Sequence, residues 1–91
     1  MKETKEMYIE ACNGLYAMLE DAKQSYVKGV MDIEELKETY NIVMTEAKRT
    51  RLSAVWTTGL EDKREIVDKL EELMSMVDNA RDELISTGVM L

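Results

Sequence analysis

VWTTGLEDKRE, residues 55–65, decides the fold, because it is either a turn between two helices or the middle of one long helix. It holds the only tryptophan of the chain and one of its four glycines. The stripes on either side favour a turn. Upstream, Leu36, Tyr40, Val43, Ala47, Thr50 and Ala54 recur at steps of three and four, the spacing of one helix face. Downstream, Ile66, Leu70, Leu73, Val77, Ala80 and Leu84 do the same. Carried past Ala54 at heptad steps, the upstream stripe lands on Thr57, Glu61, Arg64, Asp68, Glu71 and Ser75, all polar. An unbroken helix would have to rotate its buried face by roughly 120° at this point. A break is simpler.

Local chemistry points the same way. Gly59 suits the left-handed position just past a helix end, with Leu60 reaching back to Val55. Asp62 followed by Glu65 reads as a capping box that starts the next helix. The same Gly-x-x-Asp-x-x-Glu pattern stands earlier, at Gly29, Asp32 and Glu35, with Met31 and Leu36 placed as a hydrophobic staple. The rival reading follows a second apolar line, Leu52, Trp56, Leu60, Val67 and Leu70, through the turn. That line would be the face of a continuous helix in an elongated dimer.

The first helix carries its own stripe, Tyr8, Cys12, Leu15, Leu19, Ala22 and Tyr26, widened by Ile9, Ala11 and Met18. Gly14 interrupts it at a cost of roughly 1 kcal/mol against alanine, and marks a close helix approach or a weak point. Gly88 ends the last helix, with Val89 meeting Leu84. The predicted fold is therefore all-α: an antiparallel, up-down-up three-helix bundle with helices over about 3–28, 33–58 and 62–87. Completion of its core by a second copy, as a homodimer, is the alternative. Residues 1–91 read as a single helical domain with a modest core.

Composition narrows the function. At 45% hydrophobic and 34% charged, the chain is too apolar for a disordered acidic tail. Eight methionines and no phenylalanine suggest methionine as core filler. A net charge of −7 argues against direct nucleic-acid binding, since phosphate backbones attract basic surfaces. No segment reads as a signal peptide or membrane span. Cys12 alone makes neither an intramolecular disulfide nor a multi-cysteine metal site, and a reducing cytoplasm fits. On the core stripe it reads as a buried, inert thiol. With no histidine, the commonest general base and the Ser-His and Cys-His nucleophile systems are missing. Neither a Gly-rich phosphate loop nor an EF-hand loop is present. No enzymatic activity, cofactor or metal is expected.

Charge is uneven. Residues 59–91 carry nine acids and four bases, −5 of the total −7. Glu61, Glu65, Asp68 and Glu72 form a stripe on the polar face of the third helix, where like charges repel by roughly a few tenths of a kcal/mol per pair. It is either a solvated face tempered by Glu65–Lys69 and Arg64–Asp68 pairs, or a partner surface imitating nucleic-acid phosphates. In contrast, Lys48, Arg49 and Arg51 sit on the last half of the second helix, where cations suit the helix dipole and the acidic start of the third helix. Trp56, one turn before the break, is expected to seal the end of the core. In a partner contact it would instead form a hydrophobic centre with Leu52 and Leu60, rimmed by Arg49 and Arg51.

The functional expectation is a small acidic protein-interaction module, a regulator, inhibitor or adaptor of an unidentified protein partner. One alternative is an acidic nucleic-acid mimic that blocks a DNA- or RNA-binding enzyme, as in phage counter-defence. The other is a structural, self-assembling helical protein.

Overall fold

The computed structural model describes residues 5–86. Three helices run through them: α1 (Lys5–Val27), α2 (Ile33–Trp56) and α3 (Lys63–Ser86). All three pack on one another, most extensively α2 with α3. Cross-links between elements fix the directions. The start of α1 meets the end of α2 through Tyr8, whose hydroxyl bonds Ser53 and Thr57. Arg51, late in α2, reaches Glu71 in the first half of α3. Arg81, late in α3, donates to Asn41, early in α2. This is the up-down-up bundle the stripes predict.

The stripes are the core. From α1, Tyr8, Cys12, Leu15, Leu19 and Ala22 are buried; from α2, Leu36, Tyr40, Val43, Met44, Ala47 and Ala54; from α3, Ile66, Leu70, Leu73, Val77, Ala80 and Leu84. Tyr26 packs half-buried at the edge, and Thr50 is also half-buried. No polar or charged residue is buried among the described residues. Each fully buried Leu, Ile or Val contributes roughly 1.5–3 kcal/mol of transfer free energy, so the aliphatic interior outweighs any surface pairing described below. Among the described residues methionine is not the filler: only Met44 is buried, Met31, Met74 and Met76 pack at the edges, and Met7 and Met18 are exposed. The branched aliphatics already occupy the stripe positions, leaving methionine the flanks.

Gly14 faces open space, with no heavy atom within 4 Å of where a Cβ would stand. It marks no close approach. The expectation for Gly88 and Val89 lies outside the described residues.

The two turns form where the pattern places them, but they are built differently. After α1, Gly29 takes φ +80°, its N–H bonds the Tyr26 carbonyl, and the Val30 N–H bonds the Ser25 carbonyl. These are the two bonds of a Schellman motif. Asp32 then caps α2: its carboxylate accepts from the Glu35 N–H at 2.8 Å, while the Glu35 carboxylate accepts from the Asp32 N–H at 3.4 Å. Met31 packs on the core beside this start.

The second turn departs from expectation. The cap of α2 is Thr57, whose N–H bonds the Ala54 carbonyl at 3.3 Å and whose hydroxyl donates to the Ser53 carbonyl at 2.7 Å. Gly59 does adopt a left-handed φ of +75°, but two residues beyond that cap. The expected reach of Leu60 to Val55 is not the closing contact; Leu60 packs on the core and Val55 is exposed. Lys63 closes the loop by donating from Nζ to the Val55 carbonyl. Asp62 makes no capping box either. Its backbone is left-handed, at φ +53°, and its carboxylate pairs with Lys5. Residues 57–61 are therefore a turn, and the continuous helix is excluded.

Candidate interaction surfaces

With about 100° of rotation per residue, each helix has an inner and an outer side. On α2, Leu52 precedes Ala54 by two residues and Trp56 follows it by two, so each lies about 160° away from the fully buried Ala54. Trp56 is 77% exposed and Leu52 57% exposed, with Val55 beside them at 46%. Trp56 does not seal the core. The end of the bundle is closed instead by Tyr8, bonded to Ser53 and Thr57, and by Leu60 packed inward.

The hydrophobic centre expected from the sequence is thus revised. Leu60 leaves it and Val55 joins it. Its rim changes too. Lys48 is exposed and makes no ion pair among the described residues. Arg49 is exposed and pairs with Glu46 one turn earlier, at 3.3 Å. Arg51 turns the other way and meets Glu71 of α3 at 3.3 Å, as cations at this end of α2 were expected to do. Its Nε is buried with no hydrogen-bond partner, so this side chain is committed to the α2–α3 seam. The surface that remains is Leu52, Val55 and Trp56, flanked by Lys48 and Arg49.

Farther back on the same outer side lies Ile42, 44% exposed. Ile42, Thr45, Arg49, Leu52 and Trp56 follow steps of three and four, so α2 carries a second stripe facing away from the core. The sequence held this signal in the register of Leu52 and Trp56 with Ala54, but the core stripe and the line through Leu60 drew the reading elsewhere.

The acidic residues are all exposed, but only Glu65, Asp68 and Glu72 lie on one side of α3; Glu61 stands in the turn before it. They do not stand alone. Lys5 of α1 reaches Asp62 at 2.8 Å and Glu65 at 3.2 Å. The bonds to these two carboxylates hold the Lys5 ammonium above its ordinary pKa, Asp62 contributing most. The expected Glu65–Lys69 and Arg64–Asp68 pairs do not form among the described residues, and Glu65 is held by Lys5 across the bundle instead. Near Glu72, the Tyr16 phenol is pushed up, first by desolvation and then by that carboxylate.

Shallow grooves accompany these surfaces. One of about 260 Å³ lies between α1 and α2, lined by Met7, Tyr8, Ala11, Arg49, Thr50 and Ser53. A more apolar one of about 420 Å³ opens at the other end of the bundle, around Tyr26, Leu36, Tyr40 and Leu84. Burial pushes the Tyr40 phenol above its usual range there, and pushes up the Cys12 thiol in the core. Among the described residues no cluster of three acids, cysteines or histidines is placed to hold a metal ion, and no helix is long and apolar enough to cross a membrane. No family model matches the chain, and no curated protein or solved structure is significantly similar to it.

Proposed function

We propose that the chain is a non-catalytic protein-interaction module that engages a protein partner through the outward face of α2. The observation that carries this is Trp56, 77% exposed beside exposed Leu52 and Val55 on the side of a helix away from its core. A monomer gains little from leaving so large an apolar ring in water, whereas tryptophan is a favoured anchor at the centre of interfaces. Lys48 and Arg49 flank it as a basic rim and select for a partner with acidic groups around an apolar pocket. A regulator, inhibitor or adaptor acts through a surface of this kind. The buried lone thiol suits a reducing, cytoplasmic setting.

The test is capture of partners by wild-type protein beside the Trp56→Ala variant, with helicity followed by circular dichroism. Loss of the captured partner with helicity unchanged supports the reading. Unfolding of Trp56→Ala, or unchanged capture, overturns it.

A second reading rests on α3 and the turn before it. Asp68 and Glu72 on α3 and Glu61 in the turn are exposed and unpaired among the described residues, an array of charge that suits occupation of a basic groove in place of a nucleic acid. Binding of that kind weakens steeply with salt and is lost when Glu65, Asp68 and Glu72 become neutral amides. Salt-insensitive binding overturns this reading.

A further inference from the structure

We infer that the partner chemistry best matched to the outward face of α2 is a second copy of the same face, laid antiparallel. This rests on the reading of that face as an interaction surface and names its occupant.

The stripe Ile42, Thr45, Arg49, Leu52, Trp56 has the alternating three-and-four spacing of a helix-pairing seam, and all five residues are exposed. It is apolar at both ends and polar in the middle. In an antiparallel pair centred between Thr45 and Arg49, Ile42 of each copy meets Leu52 of the other. Thr45 then meets Arg49, and Glu38 comes level with Trp56, where a carboxylate can accept from the indole N–H. A twofold axis makes every one of these contacts twice.

Charge selects this direction. The first part of α2 and its cap hold Asp32, Glu34, Glu35 and Glu38 against Lys37 alone. The last part holds Lys48, Arg49 and Arg51, and no acid follows Glu46 until Glu61. The helix dipole by itself accounts for that sign order, but not for an apolar seam lying between the two charged ends. Parallel pairing stacks Arg49 on Arg49 and Glu38 on Glu38. Antiparallel pairing brings Arg49 of each copy beside Glu46 of the other, extending the pair already made within each chain at 3.3 Å. It also opposes the two helix dipoles. Two Lys48 side chains approach near the axis, and their flexible stems carry the ammonium groups out to water. Glu38, Ile42, Thr45, Arg49, Leu52 and Trp56 are all exposed, so the face is open along its length.

Sedimentation and light scattering across a concentration series test this on the full chain, with circular dichroism as the folding control. A concentration-dependent dimer is expected, weakened by about thirtyfold in Trp56→Ala, an effect of hot-spot size. Arg49→Glu and Glu46→Arg each weaken it, and the double variant restores it. Thr45→Cys and Arg49→Cys proteins form a disulfide-linked dimer when mixed and oxidised, and little alone. Cys12, buried, does not compete. Three results overturn the inference: a monomer at every concentration, efficient cross-linking of Thr45→Cys with itself, or a dimer indifferent to these charge changes. The monomer result leaves the heterologous partner site standing, because that site is judged by what Trp56→Ala fails to capture. A dimer that also ignores Trp56→Ala uses another face.

Discussion

Two turns of this molecule share the pattern Gly-x-x-Asp-x-x-Glu, yet only one is made by it. At Gly29 the pattern is sufficient: the left-handed glycine closes α1 and the Asp32–Glu35 box opens α2, with every bond inside seven residues or the turn before them. At Gly59 the same letters are in place, but the bonds run to distant parts of the chain. Tyr8 holds Thr57 and Ser53 from α1, and Lys5 takes the carboxylates that would have capped α3. The residues around the shared letters differ too. Val27 ends α1 as a helical residue, whereas its counterpart Thr57 is the cap of α2 and bonds back to Ser53 with its hydroxyl. A capping motif proposes a turn; the groups that reach it from elsewhere decide which of its bonds form.

That contrast can be broken most forcefully at Tyr8. Tyr8→Ala removes a buried ring and two hydroxyl contacts at the second turn, and is expected to cost about 3 kcal/mol or more in chemical denaturation. Tyr8→Phe, losing the hydroxyl alone, costs about 1 kcal/mol. Equal losses from both would show that the ring matters little. Next come the glycines. Gly29→Ala forces a Cβ into the left-handed region and costs about 1–2 kcal/mol, while Gly14→Ala, in open helix, gains up to about 1 kcal/mol. Thermal melts should therefore move in opposite directions.

A finer cut compares the two aspartates. Asp32→Ala loses a working cap and costs about 1 kcal/mol. Asp62→Gly loses the exposed pair with Lys5, worth at most about 1 kcal/mol, but relieves a left-handed backbone, so stability is expected to change little. A fall as large as that of Asp32→Ala in a chain that already carries Lys5→Met would mean that Asp62 caps α3 after all. The smallest effect is at alkaline pH. Lys5, Cys12, Tyr16 and Tyr40 all have raised pKa values, so above about pH 9 the folded chain holds more protons than the unfolded one. Stability is full below that range and falls as pH climbs through it. Tyr40→Phe should flatten part of the decline at the first-turn end of the bundle, and Lys5→Met part of it at the second.

The sequence was most legible where period alone decides. Ile66 to Leu84 are buried at every stripe position because one helix face needs no knowledge of its neighbours to be recognised. The first turn was legible for the same reason. The second was legible as a break but not in its bonds, since Lys5 and Asp62 lie 57 residues apart and meet only once the bundle is assembled. Trp56 was misplaced for a different cause: residue type was weighed above register. Two residues from Ala54 on a helix is the far side, and the rotation rule that found the core also puts Trp56 in water.

The position of that single indole has an optical consequence. Because the chain has no other tryptophan and this one stands in solvent at the end of α2, its emission in the folded single bundle is already that of a hydrated ring. Melting the bundle should shift its spectrum little, whereas covering α2 should move it to shorter wavelength. The molecule thus carries a native fluorophore that is nearly blind to folding and sensitive to occupancy.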